Sequence, residues 1–258
     1  MGILILEIGL CMLLNNLLKN KSNKKIRYPI CIALLLNCWN MRTYQAMWAI
    51  HTLFCLLVLL FLFKKRKPNF HLLGGDFVDE STSKDDMEIL FDQLGRLTKV
   101  APVYFVYGNH ENKIKFTRNE LNQEITKNNI TILNDQEVHL NNIILIGRKD
   151  NTNKNRKKTK DYNLTSKTYN IVLDHQPQGT KENIKNNIDL QLSGHTHNGQ
   201  MFPLSFSYHL QPDFAGNYGK ETFKHCTKII SSGLVGWGFP IRTEGICEYV
   251  VVNITPKK

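Results

Sequence analysis

The chain has 258 residues, 42% of them hydrophobic and 21% charged, length for one large domain with an appendage and a core that needs no staples. Its six cysteines include no Cys-x-x-Cys pair and four of them precede residue 56, which excludes a disulfide framework and a zinc finger and fits a reducing, cytosolic setting. Of the net charge of +11, residues 1–67 carry +9 and residues 68–258 only +2, a membrane-flank pattern that excludes nucleic acid as the expected partner.

Two regions follow in chain order: an apolar, basic-flanked segment at 1–67 and a domain at 68–258. Residues 2–18 are mostly apolar, interrupted by Glu7, Asn15 and Asn16, and the basic stretch 19–27 follows. A shorter apolar run covers 28–39, and residues 46–63, broken only by His51 and Thr52, stop at Lys64-Lys65-Arg66-Lys67. The last run is long enough to span a bilayer; the first is borderline and the second short. The basic clusters at 19–27 and 64–67 would both face the cytoplasm, which predicts a cell-membrane protein with its C-terminal domain in the cytoplasm. The alternative is a cytoplasmic chain in which these runs are not spans.

From Pro68 the pattern turns to strands with intervening helices, an α/β domain. Short strands are predicted within 70–76, 102–111, 141–150, 168–177, 188–197 and 248–254. Met87, Leu90, Phe91, Leu94 and Leu97 fall at helical spacing within 85–99, with Ser83 as the candidate N-cap. The polar, basic stretch 148–163 is expected to be a mobile loop.

Four of these strands end in polar constellations: Gly75-Asp76, Gly108-Asn109-His110-Glu111, His175, and Gly194-His195-Thr196-His197. In α/β sheets, ligands gather where loops converge at the carboxyl ends of strands. An aspartate, an asparagine and three histidines at successive strand ends predict a shared metal site.

At this point the chain resembles the calcineurin-like metallophosphoesterases, in particular a bacterial, often membrane-attached branch. The resemblance rests on "GGDFVD", "YGNHE", "LDHQP", "GHTHNGQ" and "SSGLVGWGFPIR", and covers about residues 66–258. It implies a four-layer α/β/β/α sandwich and metal-assisted hydrolysis of phosphoesters by two divalent cations. Mixed nitrogen and oxygen ligands suit Mn, Fe or Zn. The implied ligands are Asp76, shared between the cations, with Asn109, His175 and His195 on one of them and His197 on the other. His110 is implied as the acid beside the leaving oxygen. Asp79 and Glu111 are expected to orient histidines, and Arg242 to hold a substrate phosphate. Asn198 stands where the family usually has glycine; asparagine tolerates the left-handed conformation that glycine supplies.

One departure is large. The family opens with Asp-x-His on a strand ahead of the Gly-Asp pair, and here no aspartate precedes Asp76. One metal site keeps its protein ligands; the other keeps Asp76 and His197. Three readings stand. Residues up to about 63 are an out-of-frame or corrupted reading, or the chain holds one metal and is weak or dead as a hydrolase, or an anchor is present and the lost ligands come from elsewhere. The expected function is a phosphodiesterase or phosphatase acting on a lipid-linked, cell-wall or nucleotide phosphoester. The alternative is a degenerate, membrane-tethered phosphate- or metal-binding protein of the same fold.

Overall fold

The computed structural model describes residues 66–204, 206, 216–236 and 242–255. The apolar runs at 2–18, 28–39 and 46–63 lie outside the described residues, as does His51. Among the described residues no helix is long and apolar enough to cross a membrane.

Two sheets organise the domain. The first is parallel, in the order β1 (His71–Leu73), β2 (Val103–Phe105), β3 (Thr131–Ile132). The second has six strands: β4 (Gln136–Leu140), β5 (Ile143–Gly147), β6 (Tyr169–Leu173), β7 (Leu190–Ser193), β8 (Gly219–Phe223) and β9 (Cys226–Ile230), in the order β4-β5-β6-β7-β9-β8. Strands β5, β6, β7 and β9 run parallel, and antiparallel hairpins close both edges.

Period-two alternation decides which side chain enters which layer. Tyr104 and Val106 of the first sheet share one buried cluster with Leu145, Ile171, Leu173 and Leu190 of the second. The sheets therefore pack face to face. Phe105 points the other way and meets Phe91 edge-on, ring centroids 5.8 Å apart. Phe91 belongs to α1 (Lys84–Gly95), which with α2 (Arg118–Lys127) covers the outer face of the first sheet and buries Met87, Leu94, Leu121 and Ile125. The outer face of the second sheet buries Ile144, Ile146 and Val172 against Tyr162, Ile188 and Ile184 of α3 (Thr180–Lys185). The result is the expected α/β/β/α layering.

Local chemistry sets the helix starts. Ser83 caps α1 by accepting from the Asp86 N–H, as its spacing predicts. Thr117 and Glu120 form a reciprocal capping box on α2.

Two expectations are corrected. The stretch 148–163 is a pinned loop rather than a mobile one. Arg148 and Arg156 both turn inward to the buried carboxylate of Asp174, and the Arg148 guanidinium donates to the Lys157 carbonyl at 2.6 Å. A buried acid draws those cations down because its charge must be compensated. The segment 248–254, predicted as a strand, runs without ladder pairing, because β8 takes the position beside β9. Glu248 ties this segment down instead, accepting from the Ser232 N–H at 3.0 Å and the Tyr218 hydroxyl at 3.0 Å.

Candidate metal centre

The first ligand depends on a close backbone approach. Asp76 follows β1 with φ 58°, in the left-handed region. Gly75 before it (φ 90°) lies so near Gly108 that a Cβ there would sit 2.4 Å from the Gly108 nitrogen. A Cβ on Gly108 would in turn sit 2.1 Å from Asp76 Oδ1. The two glycines thus let the turns after β1 and β2 interlock, with the Asp76 carboxylate in the notch. Oδ1 accepts from the His110 N–H at 2.9 Å.

Buried Glu111 fixes these turns. Oε2 accepts from the Asp76 N–H at 2.9 Å and the Gly108 N–H at 2.7 Å, and Oε1 from the Phe77 N–H at 2.7 Å. Glu111 therefore orients the backbone that carries Asp76 rather than a histidine. Burial, followed by the Asp76 charge, pushes its carboxyl above the usual range.

The histidines arrive from the second sheet. His175, just past β6, places Nδ1 2.8 Å from the Gly74 carbonyl. That contact keeps a proton on Nδ1, so that with a metal bound the Nε2 lone pair would face inward, while without one Nε2–H can donate to Asp76. Nε2 is 2.9 Å from Asp76 Oδ2 and 3.1 Å from His195 Nδ1. The ligand atoms of Asp76, His175 and His195 lie within 4.8 Å of one another. Asn109 Oδ1 is buried and has no hydrogen-bond partner among the described residues, and His197 Nδ1 is in the same state. A buried acceptor without a donor is costly, and cation binding is one way to satisfy such an atom. The donor set of carboxylate, amide oxygen and imidazoles fits a divalent transition metal. The turn after β7 carries His195 and His197 on positive φ, 72° at His195, 51° at His197 and 52° at Asn198, with Thr196 at −79° between the histidines. Asn198 occupies the left-handed region that its replacement of glycine requires.

Electrostatics prepare the imidazoles. Burial, and then the charge of His175, depress His195 to about 4. Burial, and then Arg242, lower His197. Both are thus neutral near pH 7, the form that ligates metal. Burial alone would lower His175, but the adjoining Asp76 carboxylate and the Gly74 carbonyl raise it. Burial opposes ionisation of Asp76, yet its bonds to His175 and to the His110 N–H hold it below the usual range.

The remaining predicted residues separate. His110 lies beside the centre with Nδ1 3.2 Å from Glu80 Oε2. Glu80, not Asp79, is the acid that meets His110. Asp79 Oδ1 serves its own turn, accepting from the Ser81 N–H at 2.8 Å and the Thr82 N–H at 3.1 Å. Arg242 clamps the loops. Its guanidinium donates to the carbonyls of His197 (2.9 Å), Ser232 (3.0 Å) and Val235 (3.1 Å), which occupies the forked end a phosphate would need.

Sequence reasoning passed over Asp150. It follows β5, and its buried carboxylate accepts from Asn112 Nδ2 at 3.2 Å, from Gln176 Nε2 and from the Thr152 hydroxyl. Burial would raise this carboxyl, but the bonds from Thr152 and Gln176 outweigh it and hold it low. The signal was its position at the end of a predicted strand, the same rule that picks out Asp76 and His175.

A family model described as calcineurin-like phosphoesterase matches residues 49–199. An uncharacterized metallophosphoesterase of Helicobacter pylori is 34% identical over 205 residues, covering 75% of this chain and 53% of the relative. One from Aquifex aeolicus is 28% identical over 205 residues, 76% of each chain. Phosphodiesterase YaeI of Escherichia coli is 31% identical over 148 residues, 53% of this chain and 52% of the relative. The chain spans about half the length of the Helicobacter relatives it matches.

Proposed function

Because the chain belongs to the calcineurin-like phosphoesterase family, whose metal-dependent members hydrolyse phosphoesters, we propose that this domain holds one divalent cation, Mn, Fe or Zn, and acts on a phosphodiester or phosphomonoester. The observation that carries this reading is the meeting of Asp76, His175 and His195, with Asn109 Oδ1 buried and unpartnered among the described residues. Those four residues would hold the cation, and His197, lacking the Asp-x-His partners, would contribute at its edge. A bound cation supplies charge neutralisation for a phosphoryl oxygen and makes water a better nucleophile.

The chain's own residues do the rest. Glu111 holds the Asp76 turn rigid, and the Gly74 carbonyl fixes the His175 tautomer. Glu80 meets His110 Nδ1 at 3.2 Å and so orients the ring that would hand a proton to the departing oxygen. The apolar run 46–63, ended by a basic cluster, supports attachment to the cell membrane with this domain on the cytoplasmic side, and with it a lipid-linked phosphoester.

The test is hydrolysis of bis(p-nitrophenyl) phosphate and p-nitrophenyl phosphate by the Mn-loaded chain. Slow turnover, abolished by His175→Ala and by chelation, is expected. The absence of an aspartate before Asp76 favours a second reading, a phosphate-binding protein of the same fold. Phosphate binding that needs metal, with no turnover of either ester, would establish that reading instead.

A further inference from the structure

A cavity of about 380 Å³ is lined by Asn109 and His195, so it opens onto the proposed metal centre. Its remaining wall is Asn112, Lys113, Asn151, Thr152 and Gln176. Asp150 builds that wall. Its carboxylate gathers Asn112 from the turn after β2, Gln176 from the turn after β6 and Thr152 from its own loop. Gln176 Oε1 then accepts from the Asn151 N–H at 3.0 Å. Three segments distant in sequence are thereby fixed around one opening, and the amide and hydroxyl groups near it are largely committed to one another.

Lys113 is different. Its N–H donates to the His110 carbonyl at 2.9 Å, closing the short turn that begins at the candidate ligand Asn109. The Asn112–Asp150 bond restrains the residue just before it. Its backbone is thus held in place, while its ammonium makes no hydrogen bond or ion pair among the described residues. It is the one cation among the residues that line this cavity. A fixed backbone carrying an uncommitted ammonium at the mouth of a metal centre is arranged to receive an anion.

We infer that Lys113 is a substrate-anchoring residue, which holds an anionic oxygen of the phosphoester against the wall that Asp150 organises. The inference rests on the proposed metal-centred function and assigns the cationic contact that Arg242, spent on carbonyls, does not provide.

The experiment is calorimetric binding of inorganic phosphate to the Mn-loaded chain, with Lys113→Gln and Lys113→Arg compared with the wild type at low and high salt. An exposed charge-assisted contact predicts a loss of roughly fivefold to tenfold in Lys113→Gln, recovery in Lys113→Arg, and a gap that narrows as salt rises. Lys113 is exposed, so an unchanged melting temperature is expected. Phosphate binding by Lys113→Gln within twofold of the wild type would overturn the inference while leaving the metal centre standing. Failure of the wild type to take up any of Mn, Fe and Zn would overturn the proposed function and this inference with it.

Discussion

Gly108→Ala probes the interlock of the two turns most sharply. An added Cβ would lie 2.1 Å from Asp76 Oδ1, 2.7 Å from Asp76 Cγ and 2.8 Å from the Asp76 nitrogen. Ordinary contact requires more than 3 Å, so the carboxylate must retreat by about 1 Å or the backbone must give way. The carboxylate has little freedom, because Oδ1 is held by the His110 N–H and Oδ2 lies 2.9 Å from His175 Nε2. The backbone has little either, because Glu111 holds the Asp76, Phe77 and Gly108 N–H groups together. Overpacking of this kind costs about 1–3 kcal/mol, a fall in Tm of roughly 4–8 °C at 2 kcal/mol for a domain of this size. Metal ligands tolerate displacements of only about 0.2 Å, so the larger loss is in metal affinity, at least about tenfold. Thermal unfolding with and without Mn, together with competition against a chelator, measures both. A Gly108→Ala chain that binds Mn like the wild type would refute the notch.

Glu111→Gln keeps the shape but turns an amide N–H₂ toward one of the buried donors. About 1–3 kcal/mol of stability is expected to go, seen as a lower denaturation midpoint with weaker Mn uptake; an unchanged midpoint contradicts the assigned bonds. Arg242→Met leaves the carbonyls of His197, Ser232 and Val235 without their donor. A drop of several degrees in Tm is expected, and Arg242→Lys should not restore it because an ammonium cannot span the set; a normal Tm with weakened phosphate binding would return Arg242 to the substrate. In the metal-free chain His195 is expected to titrate at about 4. Its folded value lies below the ordinary value, so the unfolded chain takes up the proton first. This contribution to stability is present above the ordinary histidine range and is lost as pH falls from there toward 4. Imidazole NMR of the chelated protein reads the midpoint, and a value near 6.5 would contradict the burial that depresses it.

The site was more legible than its supports. Asp76, Asn109, His175 and His195 are readable because strand periodicity locates strand ends, and parallel strands deliver those ends to one place. Asn198 is readable because few side chains tolerate its φ of 52°. Asp79 and Glu80 are adjacent acids, and sequence cannot tell which of them folds back onto its own turn; Ser81 and Thr82 settle it by offering local donors to Asp79. Arg242 looks like a phosphate ligand because a guanidinium fits phosphate, yet a loop with unpaired carbonyls competes for the same fork. The basic stretch 148–163 looks mobile by composition. Its anchor, Asp174, is a buried acid on another strand end, and such pairing leaves no local signal. The valines at 250–252 have strand propensity, but propensity creates no sheet edge to join, and they stay exposed.

Metal stoichiometry is the direct test of the cation site. The chain purified with Mn and dialysed free of excess should retain about one cation per chain by elemental analysis, and His175→Ala and Asp76→Asn should each retain almost none. A wild-type chain that retains no metal, or a His175→Ala chain that retains as much as the wild type, would contradict the assignment of Asp76, Asn109, His175 and His195 as a cation site.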